Sequence, residues 1–174
     1  MNRDARIHAL LRRAGVPQRK LPQSPNHSPR PEGMDVDAVV IHYTALEWAE
    51  TVERLCSPAV DASTHFVIDR DGSVGQLVSV DRKAWHAGVS HLAGRDHVNE
   101  FSVGVDLVFV PGADSRYSDA QYRALGALLS ALAAVFGISR DRVVGHDHVA
   151  RPTGRKQDPG PAFDWARVRR EEGA

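Results

Sequence analysis

A single α/β (α+β) domain, a sheet flanked by helices, is predicted by three observations. Short apolar runs rich in β-branched residues recur at 36–44, 101–110 and 141–149, a pattern suited to buried strands. Stretches with apolar residues at helical spacing lie between and around them, the strongest at 118–137. The length of 174 residues suits one domain, which can bury roughly 70% of the surface of its unfolded chain and needs no staples. Strands mixed with helices in this way build a sheet covered by helices.

Residues 3–14 read as a short helix with Ile7, Leu10 and Leu11 on one face. Five prolines then fall between Pro17 and Pro31, so this stretch can hold neither a helix nor a central strand. It is expected as an extended arm, and 1–33 is set apart as an N-terminal helix with its arm, leaving 34–174 as the main domain. The run 36–44 is the first strand. Leu46, Ala49, Val52 and Leu55 then mark a helix that Pro58 stops. Asp71-Gly72, inside 65–80, marks a hairpin turn. The strand at 101–110 ends at Pro111-Gly112. Ser118 with Gln121 gives a capping-box signature. The helix it opens carries Tyr122, Leu125, Leu129, Leu132 and Phe136 on one face and stops at Gly137. The run 141–149 is read as a strand with His146 at its end, 154–165 as a loop, and a last short helix starts near Asp164.

Composition excludes several functions. Lys plus Arg and Asp plus Glu both number 22, so no broad electrostatic grip on nucleic acid or anionic lipid is expected. The single cysteine, Cys56, excludes an internal disulfide framework and any multi-cysteine zinc site. No apolar run approaches 18 residues, and the N-terminus lacks the apolar core of a secretory signal. A cytoplasmic monomer is expected, with export by a holin or a specialised secretion system left open.

Three polar residues stand at the ends of apolar elements or in the loop beyond. His42 follows Val39-Val40-Ile41, His146 follows Val143-Val144-Gly145, and Asp158 precedes Pro159-Gly160-Pro161. Two imidazoles and a carboxylate with an open fourth position are the ligand logic of a catalytic zinc. On spacing alone the same residues also read as two core histidines bonded to backbone carbonyls and a turn-forming Asp. His148 lies two residues from His146, so a strand would put both on one face. Asp106, inside an apolar strand, is costly unless paired and is a candidate general base. Lys156 is a candidate for holding an oxyanion, with a solvated loop lysine as the plain alternative. His86, among small residues, could contact a ligand. Trp85 and Trp165 are of a type more often found in cores.

The motifs IHYTA, STHFVIDRDG, QLV, AWHAGVS, FSVGVDL, SDAQYRAL and RKQDPGPAFDWAR occur in this order from about residue 24 to 169. Together they resemble the zinc-dependent N-acetylmuramoyl-L-alanine amidases of type 2, the AmpD-like family. Phage lysozyme-type amidases and peptidoglycan recognition proteins match less well. The resemblance implies a central, mainly mixed sheet flanked by helices, with 34–174 as the amidase catalytic domain. It implies Zn2+ held by His42, His146 and Asp158, catalytic roles for Asp106 and Lys156, and substrate contacts from His86 and Trp85. The implied reaction is hydrolysis of the amide between N-acetylmuramic acid and L-alanine in peptidoglycan or muropeptides. The rival is a peptidoglycan-binding module of the same fold without activity. Two departures stand out: Asp replaces the family's Glu at 106, and the stretch from His146 to Asp158 is two residues longer than the compact pattern.

Overall fold

The computed structural model describes residues 2–169; Met1 and 170–174, the outer ends of the two expected units, lie outside the described residues. The elements run α1 (Arg3–Arg13), β1 (Gln18–Arg19), β2 (His27–Pro29), β3 (Ala38–Tyr43), α2 (Trp48–Leu55), β4 (Phe66–Ile68), β5 (Val74–Gln76), β6 (Arg82–Ala84), β7 (His91–Leu92), β8 (Arg95–Asp96), β9 (Ser102–Leu107), α3 (Asp119–Phe136), β10 (Val143–Gly145), α4 (His146–Val149) and α5 (Trp165–Arg169). The main sheet has the order β1-β5-β4-β9-β3-β10 and is mixed. Only the hairpin pair β4–β5 is antiparallel; β4, β9, β3 and β10 run parallel and share one C-terminal edge.

Strand alternation divides the chemistry between the two faces. Val39, Ile41, Val103, Val105, Leu107, Phe66 and Ile68 point to one side and pack with Leu125, Leu128 and Leu132 of α3. Helix α3 forms as its sequence dictates. The Ser118 Oγ accepts from the Gln121 backbone N–H at 3.0 Å, Gln121 Oε1 accepts from the Ser118 N–H at 2.9 Å, and Gly137 ends the helix at φ +77°. The opposite parity of the same strands carries Val40 and His42, Gly104 and Asp106. That side faces the smaller apolar cluster of Ala38, Val40, Ala87, Val98 and Phe101, and it carries the polar site.

The N-terminal segment is packed into this body. Ile7 and Leu11 of α1 are fully buried in the main core, where α1 lies on α3. The proline stretch holds only two short strands. One pairs with β5 at the edge of the main sheet; the other pairs with β6 in a separate ribbon. Edge positions tolerate proline because the missing N–H faces away from the ladder. Arm side chains tie loops together. Asn26 Nδ2 donates to the carbonyls of Leu55, Ser57 and Ala62, and the Arg30 guanidinium donates to those of Asn99, Glu100, Ser102 and Val80.

One expected strand is shorter than its pattern. The run 141–149 is a strand only over Val143–Gly145, and His146 opens a helical turn. His146 and His148 therefore do not share a strand face: His146 is buried, whereas His148 is exposed and lines a different cleft beside Trp165 and Asp147. Among the described residues no helix is long and apolar enough to cross a membrane.

Candidate metal centre and active-site cleft

Two parallel strands and two loops build the site. His42 near the end of β3 and Asp106 near the end of β9 are register partners, so both side chains leave the sheet on the same face. His146 comes directly after β10, whose Gly145 pairs with Ile41. Asp158 arrives on the loop before Pro159. That loop needs Gly145: a Cβ there would stand 2.8 Å from Pro159 Cδ and 2.2 Å from Asp147 Oδ1. The loop is pinned further by the Asp147 N–H donating to the Asp158 carbonyl at 2.9 Å and by the Tyr117 hydroxyl donating to the Pro159 carbonyl at 2.7 Å.

His42, His146 and Asp158 are 4, 5 and 7% exposed, and one ligand atom from each lies within 4.8 Å of the others. The Nδ1 atoms of His42 and His146 stand 2.9 and 3.0 Å from the same carboxylate oxygen, Asp158 Oδ2. Both Nε2 atoms have partners elsewhere: that of His146 faces the Ala87 carbonyl at 3.2 Å, and that of His42 faces His86 Nδ1 at 3.1 Å. A carbonyl only accepts, so His146 carries a hydrogen on Nε2; its Nδ1 faces the Asp158 carboxylate, which also only accepts, and that nitrogen offers a lone pair once a metal takes the place of the hydrogen between them. Burial lowers the His146 pKa, against an opposing pull from Asp158. Burial pushes the Asp158 carboxyl up, but hydrogen bonds to His146 and His42 outweigh it and hold the group far below the usual carboxylate range. A neutral imidazole and an ionised carboxylate are the protonation states that metal ligation requires. The donor set, its burial and its geometry fit a metal ion.

Asp106 lies beside this centre. Burial raises its pKa to about 6, with His42 and Thr64 pulling the other way. Neither Asp106 Oδ1 nor Thr64 Oγ1 has a hydrogen-bond partner of good geometry among the described residues. A carboxyl poised near neutrality with an unsatisfied oxygen in a cleft is suited to moving protons. The cleft has a volume of about 440 Å³ and is lined by His42, Asp106, Asp158, His86, Trp85 and Lys156, among others. Lys156 is an exposed wall residue without an ion-pair partner among the described residues. Trp85 lines the wall with its indole N–H donated to Ser28 Oγ of the arm at 3.1 Å. His86 lies over Gly104, where a Cβ would come within 2.6 Å of its ring. Both of its ring nitrogens face protein groups, His42 at 3.1 Å and Ser102 at 3.1 Å. Burial and neighbouring imidazoles hold its pKa well below the ordinary value.

Sequence reasoning passed over three residues that shape the site. Ser102 is the buried hydroxyl at the start of β9; its signal was a polar residue in an apolar strand run. Arg155 donates to the carbonyls of Ala87 and Val89 at 3.0 and 2.8 Å, fastening the long 146–158 stretch to the loop after His86. Thr64 precedes the first strand of the hairpin and has no local signal.

The fold and site define a class: an α/β domain with a buried His-His-Asp centre, able to hold a metal, at the shared C-terminal edge of parallel strands beside a buried carboxyl. Residues 32–161 match the sequence profile of the N-acetylmuramoyl-L-alanine amidases, and the chain belongs to that family of amide hydrolases. It is 36% identical over 173 residues to the 1,6-anhydro-N-acetylmuramyl-L-alanine amidase AmpD of Salmonella typhimurium, covering 88% of this chain and 89% of that one. The crystal structure of a selenomethionine derivative of AmpD superposes with a TM-score of 0.73 at 33% identity, covering 87% of this chain and 92% of that one. The Escherichia coli amidase AmiD, in complex with anhydro-N-acetylmuramic acid-L-Ala-D-γ-Glu-L-Lys, gives a TM-score of 0.70 at 28% identity over 80% of this chain and 59% of that one.

Proposed function

We propose that this amidase uses zinc, held by His42, His146 and Asp158, to hydrolyse the amide between the lactyl group of N-acetylmuramic acid and L-alanine in soluble muropeptides. The convergence of two imidazole Nδ1 atoms and one carboxylate beside Asp106 carries the reading. When bound, zinc would supply Lewis acidity at the scissile carbonyl and lower the pKa of an attacking water. Asp106 takes the proton of that water and returns it to the departing alanine nitrogen, a transfer its near-neutral pKa suits in both directions. Lys156, exposed on the cleft wall, stabilises negative charge developing on the carbonyl oxygen. Trp85 offers an apolar wall held by the arm.

The substrate class is supported by the names of AmpD relatives, which specify a 1,6-anhydro sugar, and by the anhydromuramyl peptide bound by AmiD. Anhydro-muropeptides are therefore the first substrates to test. The shorter carboxylate at 106 is the one observation that favours a binding module without activity. Mass spectrometry of products from defined muropeptides, with and without chelator, separates the two. Free sugar and free stem peptide, lost on chelation, are expected; tight binding of intact substrate without cleavage would overturn the proposal.

A further inference from the structure

We propose that His86 and Ser102 form a hydrogen-bond relay that fixes which nitrogen of His42 carries hydrogen, making His86 a positioning residue of the metal centre. This rests on the reading of His42 as a ligand.

The direction of the relay is set at its far end. Ser102 Oγ lies 2.6 Å from the Val98 carbonyl oxygen. Two oxygens this close need a hydrogen between them, and a carbonyl has none, so the hydroxyl's only hydrogen lies there. Ser102 Oγ can then only accept from its other neighbour, His86 Nε2, at 3.1 Å. Among the described residues no carboxylate is hydrogen-bonded to the His86 ring, whose partners are His42 and Ser102. A neutral ring with its hydrogen on Nε2 leaves a lone pair on Nδ1. That lone pair faces His42 Nε2 at 3.1 Å and accepts its N–H. With its Nε2 hydrogen committed to His86, His42 has Nδ1, the atom that faces Asp158 and His146, as the nitrogen that can offer a lone pair to a metal in place of its hydrogen bond to the carboxylate. The Ala87 carbonyl does the same for His146 in one step. Both imidazoles are thus oriented from the strand and loop that frame the AWHAG stretch, one through a backbone acceptor and one through two side chains.

The alternative arrangement shows what the relay prevents. With its hydrogen on Nδ1, His86 would donate to His42 Nε2 and push the His42 hydrogen onto Nδ1, the ligating atom. Outer groups that orient metal-bound histidines are typically worth about 10- to 100-fold in metal affinity. Gly104 makes the arrangement possible, since any Cβ there would displace the His86 ring from the sheet.

Zinc affinity, measured by competition with a chromogenic chelator, tests the relay, with the His42 ring read by 15N–1H NMR. Ser102→Ala and His86→Phe are each expected to weaken zinc about 10- to 100-fold and to erase the single Nε2–H pattern of His42. His86→Asn, which returns an acceptor oxygen near the position of Nδ1, should recover part of the loss. His148→Ala, exposed and outside the cleft, should bind zinc as the parent does. If His86→Phe fails to fold, as judged by circular dichroism, Ser102→Ala decides alone, since it removes a single oxygen. Loss of zinc in His42→Ala with parental affinity in His86→Phe and Ser102→Ala would overturn the relay and leave the metal reading standing. A raised KM at unchanged zinc affinity in His86→Asn would make His86 a substrate contact and overturn it equally. A parent chain that binds no zinc would overturn the metal reading and the relay together.

Discussion

His42 and Asp106 face each other across the parallel strands β3 and β9, in direct register and on one face of the sheet. This pairing sets an imidazole of the candidate metal centre beside a carboxyl whose pKa is raised to about 6 by burial. The two residues stand on neighbouring strands, about 4.8 Å apart in the hydrogen-bonding direction.

Asp106→Asn keeps the shape but cannot carry a proton. Its kcat should fall by at least about 100-fold, with zinc content unchanged by elemental analysis. Asp106→Glu should retain activity. Parental turnover in Asp106→Asn would place the proton shuttle on another group.

The purified chain should hold about one zinc per molecule, as a three-ligand catalytic site does. His42→Ala, His146→Ala and Asp158→Ala should each lose most of it, because each removes one of three converging donors. A full zinc complement in any of them would remove that residue from the centre.

His65 gives the fold a pH dependence away from the candidate metal centre. Burial, with Arg30 alongside, lowers its pKa from 6.5 to about 3, and its Nδ1 accepts the Gly104 N–H at 2.9 Å. Between these two values the unfolded chain binds a proton that the folded chain refuses. The contribution is complete above pH 6.5 and is lost as pH falls, by about 1.4 kcal/mol per unit. His65→Gln removes this titration. Its denaturation midpoint should therefore drop less than the parent's between pH 7 and pH 5. Identical acid slopes would refute the assignment.

Helix α1 should stabilise the domain without touching its chemistry. Leu11 is fully buried against α3, so Leu11→Ala should cost about 2–5 kcal/mol in urea unfolding. A chain starting at residue 22 should keep its zinc, since no ligand is removed, but melt at a lower temperature. Loss of zinc on that truncation would show that the segment shapes the site itself.

Much of the molecule was legible because its signals are local. The capping pair Ser118 and Gln121 and the stop at Gly137 gave α3 its ends, and Asp71-Gly72 gave the hairpin. The strands at 36–44 and 101–110 were readable from their apolar runs, and the positions of His42, His146 and Asp158 from the family resemblance. The ribbon β2–β6 was not visible, because proline-rich and charged segments carry no apolar alternation and pair through backbone alone.

By itself, then, the sequence determined most of the elements and the mixed class, since periodicity, caps and turns act over a few residues, and its resemblance to a family supplied the candidate site residues. Only the tertiary structure decided which of those side chains meet. The register of β3 with β9 put Asp106 beside His42, and the end of β10 at Gly145 sent His146 inward and His148 to solvent. The backbone at Gly104 left room for His86 to reach His42. These relationships join residues far apart in the chain. They are set by strand pairing and by the space the packed sheet leaves, which no local pattern encodes.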